Sequence, residues 1–263
     1  MKDEPLVSVV IPTFNSGRFL ERCLLSVRGQ SYGRVEVVVV DNYSKDGTRE
    51  IAEKYGVKFV LQRAGMSRAR NIGASFAKGE FIFSVDSDME LAPNVVSECV
   101  SKVEEGFDAV IIPEFSVGEG FWAKCKALEK QCYVGDDLIE AARFFRRDVF
   151  EALEGYDVKL LFGEDWDLNL RIAKAGHSVG RIRAYIKHHE GALSLRETML
   201  KKHYYGKTLE LYRVKHSEEA KQQLTLMRPS FAKNWRKLAR DPIHAAGLVA
   251  LKICEFAAVG LVI

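Results

Sequence analysis

The sequence predicts an α/β protein built on a mostly parallel sheet flanked by helices. Apolar, β-branched or aromatic runs at residues 7–12, 35–40 and 81–85 read as strands covered on both faces. Segments with helical spacing of apolar residues separate them. Each run also ends in a polar, turn-forming stretch: Thr13-Phe14-Asn15-Ser16, Asp41-Asn42-Tyr43-Ser44 and Asp86-Ser87-Asp88. The 263 residues, 47% hydrophobic and 29% charged, have a globular rather than a disordered composition.

The elements follow in order. Pro12 closes the first strand. Asn15 or Ser16 is expected to cap a helix over 17–30, where Phe19, Leu20, Cys23, Leu24 and Val27 share a face. The strand 35–40 leads through the loop 41–48 to a helix over 49–55, a short strand 57–61 and a helix over 64–78. The strand 81–85 ends in the two carboxylates Asp86 and Asp88. A helix over 93–105, a strand 109–113 and a helix 122–132 come next. Residues 142–145 form a short strand, and 149–157 turns at Gly155-Tyr156. Phe162 to Asp167 opens a helix over 168–175 with Gly176 as its C′ residue. A strand over 179–186 precedes His188-His189-Glu190-Gly191. Gly118-Glu119-Gly120-Phe121-Trp122-Ala123 matches G-x-G-x-x-A. It does not open the first βα unit and lacks a placed acidic partner, so it is not expected to bind a dinucleotide.

Three groups carry candidate chemistry. Asp86 and Asp88 sit at the carboxyl edge of the sheet, where α/β proteins bind ligands, and two hard oxygen ligands there suit Mg²⁺ or Mn²⁺. Taken alone, they would read as turn or cap residues before Pro93. Glu164, Asp165 and Asp167 suit the first turn of a helix electrostatically. One of them, lined by Phe162 and Trp166, also suits a general base. His188 and His189 follow a strand and, taken alone, read as solvated surface residues. The five cysteines, Cys23, Cys99, Cys125, Cys132 and Cys254, are scattered without metal-ligand spacing, as reduced thiols in a cytosolic setting would be.

In this order the pieces resemble family 2 glycosyltransferases of the GT-A fold, the Rossmann-like fold of nucleotide-diphospho-sugar transferases. The resemblance spans most of residues 7–191. It rests on Ser8-Val-Val-Ile-Pro-Thr-Phe-Asn15, Val37-Val-Val-Val-Asp41 through Asp46-Gly-Thr48, and Ser67-Arg-Ala-Arg70-Asn71 with Ala77-Lys-Gly79. Asp86-Ser-Asp88 and Gly163-Glu164-Asp165-Trp166-Asp167-Leu168 with Arg171 complete it. The resemblance implies roles. Pro12, Thr13 and Asn15 line the nucleotide pocket and Asp41 hydrogen-bonds the nucleobase. Arg70, with Arg63 or Arg68, faces the nucleotide or its diphosphate. Asp88 binds the metal, Asp86 the ribose or metal, and Asp165 is the base, with Glu164 and Trp166 beside it on the substrate. One of His188 and His189, with His188 preferred, completes the metal shell.

The net charge of +3 hides an asymmetry. From Arg196 to Arg240 twelve Lys/Arg face four Glu, a surplus of eight that leaves the rest about five negative. Residues 1–192 are therefore read as the catalytic domain and 193–263 as a basic, then apolar, helical tail. The run 243–263 has only His244, Lys252 and Glu255 as strongly polar residues, and on a helix these share one narrow stripe. That pattern suits a helix packed on the domain or one lying on a membrane surface, with Trp235 and its basic neighbours at head-group level. The chain stops inside this apolar run, as a truncated chain would. No module or basic–aromatic platform supports nucleic acid as a partner.

The expected activity is inverting, metal-assisted transfer of a sugar from a UDP- or GDP-sugar to a hydroxyl of a lipid-linked or glycan acceptor. The expected place is the cytoplasmic face of a membrane, peripherally or through a C-terminal anchor. A polyprenyl-phosphate sugar synthase is the rival enzyme, and it would need no base. A catalytically silent nucleotide-sugar-binding membrane protein is the rival from another class, against which the Asp86, Asp88 and Asp165 set counts. A nucleotidyltransferase would want a glycine-rich, basic first loop, and residues 13–17 hold one glycine.

Overall fold

A computed structural model describes residues 4–260. The first half alternates as the apolar runs require: β1 (Val7–Thr13), α1 (Leu20–Arg28), β2 (Val35–Asp41), α2 (Thr48–Lys54), β3 (Lys58–Leu61), α3 (Met66–Phe76) and β4 (Phe81–Ser84). The chain continues through β5 (Met89–Leu91), α4 (Val95–Glu104), β6 (Ala109–Ile111), β7 (Glu114–Glu119), α5 (Gly120–Tyr133), β8 (Ala142–Arg146) and α6 (Arg147–Ala152). Then come α7 (Glu164–Lys174), β9 (Val179–Arg181) and β10 (Ile186–Ala192). Six helices follow: α8 (Leu195–Gly206), α9 (Leu209–Lys215), α10 (Ser217–Gln223), α11 (Pro229–Lys233), α12 (Trp235–Arg240) and α13 (Pro242–Ala258).

A seven-stranded sheet is ordered β3-β2-β1-β4-β8-β6-β9. Its neighbours pair in parallel except at β8, which is antiparallel to both β4 and β6. Parallel neighbours need a crossover between them, which the intervening helices supply. Because side chains alternate along a strand, β1 serves two cores. Val7, Val9 and Ile11 join the core made with α1 and α4, and Val10 joins the one made with α3, α6 and α7. A second sheet is ordered β5-β10-β7. Asp86 and Asp88 thus occupy the link that carries the chain from the large sheet into the small one.

The structure departs from expectation at identifiable places. The strand read over 179–186 is two strands in two sheets: β9 pairs with β6, and β10 pairs with β5 and β7. His188 and His189 therefore lie within a strand, not after one. β5 and β7 had no apolar run to announce them, because polar residues interrupt both. Neither Asn15 nor Ser16 caps α1, which starts at Leu20. The Ser16 carbonyl, not its side chain, accepts the Phe19 and Leu20 N–H groups. The segment 149–157, read as turning at Gly155-Tyr156, begins inside a helix, since residues 147–152 form α6. The basic helix expected after residue 195 breaks between α8 and α9. There Thr208 Oγ1 accepts the N–H of Leu161 at 2.9 Å and of Phe162 at 3.1 Å, pinning the chain to the loop before α7.

The apolar helix of the tail is α13, and residues 261–263 of that run lie outside the described residues. It packs on α5, where Gly247 allows the approach: a Cβ there would meet Phe121 and Cys125 within 2.6 Å. Lys252 and Glu255 are buried, while Ile243, Val249 and Ile253 are exposed. Lys252 and Glu255 therefore face the protein together with Leu248, Leu251 and Phe256, while a second apolar strip points outward. Among the described residues no helix is long and apolar enough to cross a membrane.

Candidate active site

Parallel pairing sets the first part of the site. Thr13 and Asp41 are in register at the carboxyl ends of β1 and β2. Asp41 is 1% exposed. Its Oδ1 accepts from Thr13 Oγ1 at 2.8 Å and its Oδ2 from the Ser44 N–H at 2.8 Å. Oδ1 also accepts from Ser44 Oγ at 2.5 Å, so it is Oδ2 that keeps lone-pair capacity. Pro12 is buried beside them. Asn15, in the left-handed region at φ 49°, fastens this loop to the next. Its N–H donates to Ser44 Oγ at 2.7 Å, and its Oδ1 accepts the Lys45 N–H at 2.9 Å. Arg63 lies over the Tyr43 ring at 5.4 Å, on the strand-end side of the same loop.

The second part is a floor of carboxylates around one guanidinium. Arg70 of α3 is 3% exposed. Its Nη2 donates to Asp86 Oδ1 at 2.8 Å, and its Nη1 to Asp165 Oδ1 at 3.0 Å and Glu164 Oε1 at 3.2 Å. The side chain expected to face the donor's diphosphate thus ties α7 to the end of β4. Arg143 of β8 reaches the other oxygen of Asp86 at 3.3 Å and also pairs with Glu114. Both oxygens of Asp86 are held by cations, which repel a metal ion there. Despite burial, Arg70 and Arg143 keep its carboxyl far below the usual range. Asp88 is the carboxylate left open.

The third part joins the two sheets. His188 Nε2 lies 3.1 Å from Asp88 Oδ2, and its Nδ1 is 3.9 Å from Glu114. Burial opposes charge on this ring, but Asp88 and Glu114 hold it up at about 10. His189 contacts Glu90 at 2.8 Å and Arg22 at 2.9 Å instead. Among the described residues no three His, Cys, Asp or Glu side chains form a complete metal cage. Asp88 and His188 fit a divalent ion that takes its remaining ligands from a substrate diphosphate and water.

Asp165 and Glu164 open α7 because Gly163, at φ 72°, turns the chain into the helix. A Cβ on Gly163 would lie 2.9 Å from the Tyr212 ring, so only glycine fits there. Trp166 packs with Phe162 and Tyr212, and its Nε1 donates to the Ile139 carbonyl at 2.8 Å. Asp165, Glu164 and Trp166 line a cavity of about 290 Å³ shared with α5, α8 and α13. Asp165 Oδ2 has no partner among the described residues. Asp167 turns away into the protein, toward Arg171, Lys215 and His216.

Burial, and then the adjacent Asp165 charge, push Glu164 up to about 7 against the pull of Arg70. A carboxyl whose folded value exceeds its ordinary 4.5 favours folding below that pH and loses the contribution as pH rises through 7. Glu164→Gln should therefore gain stability over the wild type between pH 4.5 and 8, by up to about 3 kcal/mol at roughly 1.4 per pH unit. Urea unfolding across that range measures it, and a constant difference would refute the shift.

Sequence reasoning did not assign Arg143 and Glu114. Each is a charged residue in or beside an apolar strand, which is the one signal they carry.

The topology and this carboxyl-edge site define the GT-A class of sugar-transferring folds. A mannosyltransferase from Pyrobaculum calidifontis, solved with GDP-Man and Mn²⁺, has a TM-score of 0.67 at 18% identity, covering 97% of this chain and 87% of that one. S. aureus TarS 1-349, solved with UDP-GlcNAc, has a TM-score of 0.63 at 19% identity over 98% and 84%. The sequence profile of Glycosyl transferase family 2 matches residues 8–153, more than half of the chain. The chain belongs to that family.

Glycosyltransferase GlyG of Streptococcus pneumoniae is 33% identical over 117 residues, which are 42% of this chain and 39% of that protein. The GalNAc(5)-diNAcBac-PP-undecaprenol beta-1,3-glucosyltransferase of Campylobacter jejuni is 31% identical over 153 residues, covering 53% and 49%. The matches thus span half or less of the length of these two relatives.

Proposed function

We propose that the chain is an inverting glycosyltransferase that moves a sugar from a UDP- or GDP-sugar to a hydroxyl of a lipid-linked or glycan acceptor. The observation that carries this is that Asp165, with one free oxygen, lines a cavity together with Glu114, which links it at 3.9 Å to the His188 of the Asp88–His188 pair. Inversion is a single displacement. The acceptor oxygen bonds to the anomeric carbon as the bond to the diphosphate oxygen breaks, and the acceptor proton goes to the base. Asp165 Oδ2 takes that proton, and Arg70 orients the carboxylate through Oδ1. Thr13, Asn15 and Asp41 receive the nucleoside at the strand ends. Asp88 and His188 would hold Mn²⁺ or Mg²⁺, which neutralises charge on the departing diphosphate. Mn²⁺ accompanies GDP-Man in the Pyrobaculum neighbour, and the Campylobacter relative's name gives it a lipid diphosphate acceptor.

The tail's surface supports membrane association, and the place we propose is the cytoplasmic face. Trp235, Met227, Ile243 and Val249 are exposed beside Lys233, Arg236 and Arg240, an apolar surface with basic neighbours. An apolar cavity of about 250 Å³ opens between α11–α12 and α13, lined by Leu226, Phe231, Leu238 and Leu248 among others.

The test is nucleoside diphosphate release from a panel of UDP- and GDP-sugars, with vesicle co-sedimentation read on the same samples. One donor should be turned over slowly in Mn²⁺ or Mg²⁺. EDTA or Asp88→Ala should abolish that turnover, and the protein should pellet with anionic vesicles. Absence of both release and binding across the panel would sink the transferase reading. Protein left in the supernatant would sink the membrane reading.

A further inference from the structure

The cavity that Asp165 lines has a second polar end, which the transfer step leaves unused. There Lys126 and Glu129 of α5 meet Lys252 and Glu255 of α13 in a closed ring. Lys126 Nζ donates to Glu129 at 2.6 Å and Glu255 at 3.5 Å, and Lys252 Nζ donates to Glu129 at 2.9 Å and Glu255 at 2.8 Å. Two lysines thus saturate two carboxylates.

Two more cations face the same space. Arg228 lies over the rings of Tyr133 and Trp166, at 4.9 and 5.8 Å. Lys202 of α8 makes no hydrogen bond among the described residues, and its nearest carboxylate, on Glu255, is 3.8 Å away. Four cations against two carboxylates leave two positive charges unmatched at this end. An uncompensated charge on a largely buried wall is costly unless a ligand completes it. Burial, helped by Lys126 and Lys252 and opposed by Glu255, pushes Lys202 down to about 8.

The carboxylates at the other end are held by different cations. Glu164 and Asp165 belong to Arg70, Glu114 to Arg143 and Lys130, and Glu140 to Arg181. The cavity is therefore polarised, with a carboxylate end where a proton is to be removed and a lysine end with room for an anion. Two surplus charges match a dianion better than a carboxylate, which would neutralise only one.

We propose that the lysine end of this cavity binds a phosphate group carried by the acceptor, with Lys202 as its principal donor and Lys126, Lys252 and Arg228 supplying the surrounding field. The inference rests on the transferase reading only in calling the ligand an acceptor. Lys202 and Asp165 line the same cavity, so an acceptor anchored at Lys202 by its phosphate would offer its hydroxyl to Asp165 within it. A lipid diphosphate head group and a soluble phosphoester share this chemistry.

The test uses the full chain in EDTA. Calorimetry follows the binding of inorganic phosphate, glycerol phosphate, and phosphatidylcholine vesicles carrying a polyprenyl diphosphate. Lys202→Met and Lys202→Arg are compared after thermal unfolding confirms that each is folded. Wild type should bind at least one probe. Lys202→Met should weaken binding about tenfold or more, and Lys202→Arg should stay within about threefold because it keeps the charge. Preference for the vesicles names a lipid head group, and preference for glycerol phosphate names a soluble phosphoester. A second measurement needs no variant: phosphate should slow acylation of Lys202 by an amine-reactive reagent, read by peptide mass spectrometry. Wild type binding none of the probes, Lys202→Met binding like wild type, or acylation indifferent to phosphate would each overturn the site. Phosphate binding with neither release nor binding of any donor across the panel would keep the site and overturn the transferase reading. Donor turnover without phosphate binding would do the reverse.

Discussion

Asp165→Asn should lower turnover by about 10²–10⁴ while leaving the donor KM within a few-fold, the usual scale for losing a positioned general base. The amide keeps the shape and can still accept the Arg70 hydrogen bond through its oxygen, so the floor survives. It cannot take a proton from the acceptor at Oδ2. Steady-state kinetics with donor and acceptor varied separately measure the effect. A drop confined to KM would mean that Asp165 binds rather than deprotonates. An unchanged rate would point to an acceptor whose nucleophile is already ionised, as in the polyprenyl-phosphate synthase rival.

Arg70→Ala should cost about 3–5 kcal/mol of stability near neutral pH, the scale for removing one partner of a buried charge network. The guanidinium serves Asp86, Glu164 and Asp165 at once and lies 5.0 Å from the centre of the Tyr156 ring. Without it three carboxylates converge with Arg143 left to compensate only Asp86. Asp86 and Glu164 lose the cation that holds their pKa values down, so the deficit should shrink as pH falls toward 4. Arg70→Lys should recover part of the loss, since an ammonium keeps the charge but lacks the fork that reaches both helices. Urea unfolding at pH 7 and pH 5 tests this. A cost below about 1 kcal/mol at pH 7 would show that the carboxylates relax apart and that Arg70 is not what joins α7 to β4.

The strand ends were legible because parallel strands bring successive polar loops to one edge. Asp41, Asp86 and Asp88 had to emerge on the same side once β1, β2 and β4 were read as parallel. The pairing of Asp88 with His188 rather than His189 was not legible. It depends on β10 leaving the large sheet, and the 179–186 run carries no punctuation at the break. Arg143 and Glu114 pair across 29 residues of sequence, and no local pattern announces such a contact. The narrow stripe of Lys252 and Glu255 was visible as periodicity. Periodicity gives the angle between residues and not which way the helix is turned. That is decided by Lys126 and Glu129, a separate helix more than a hundred residues earlier.

The antiparallel strand β8 has a consequence for synthesis. The segment from β1 to β4 is one continuous stretch of neighbouring βα units and can assemble as soon as it leaves the ribosome. Its outer edge is then Phe81-Ile82-Phe83-Ser84, flat, aromatic and unpaired. The strand that covers that edge is encoded some sixty residues later, at Ala142–Arg146. At about 5–20 residues per second the nascent chain carries an open, sticky edge for several seconds. During that interval the half-sheet is a natural client for a chaperone, and pausing translation there should favour aggregation over folding.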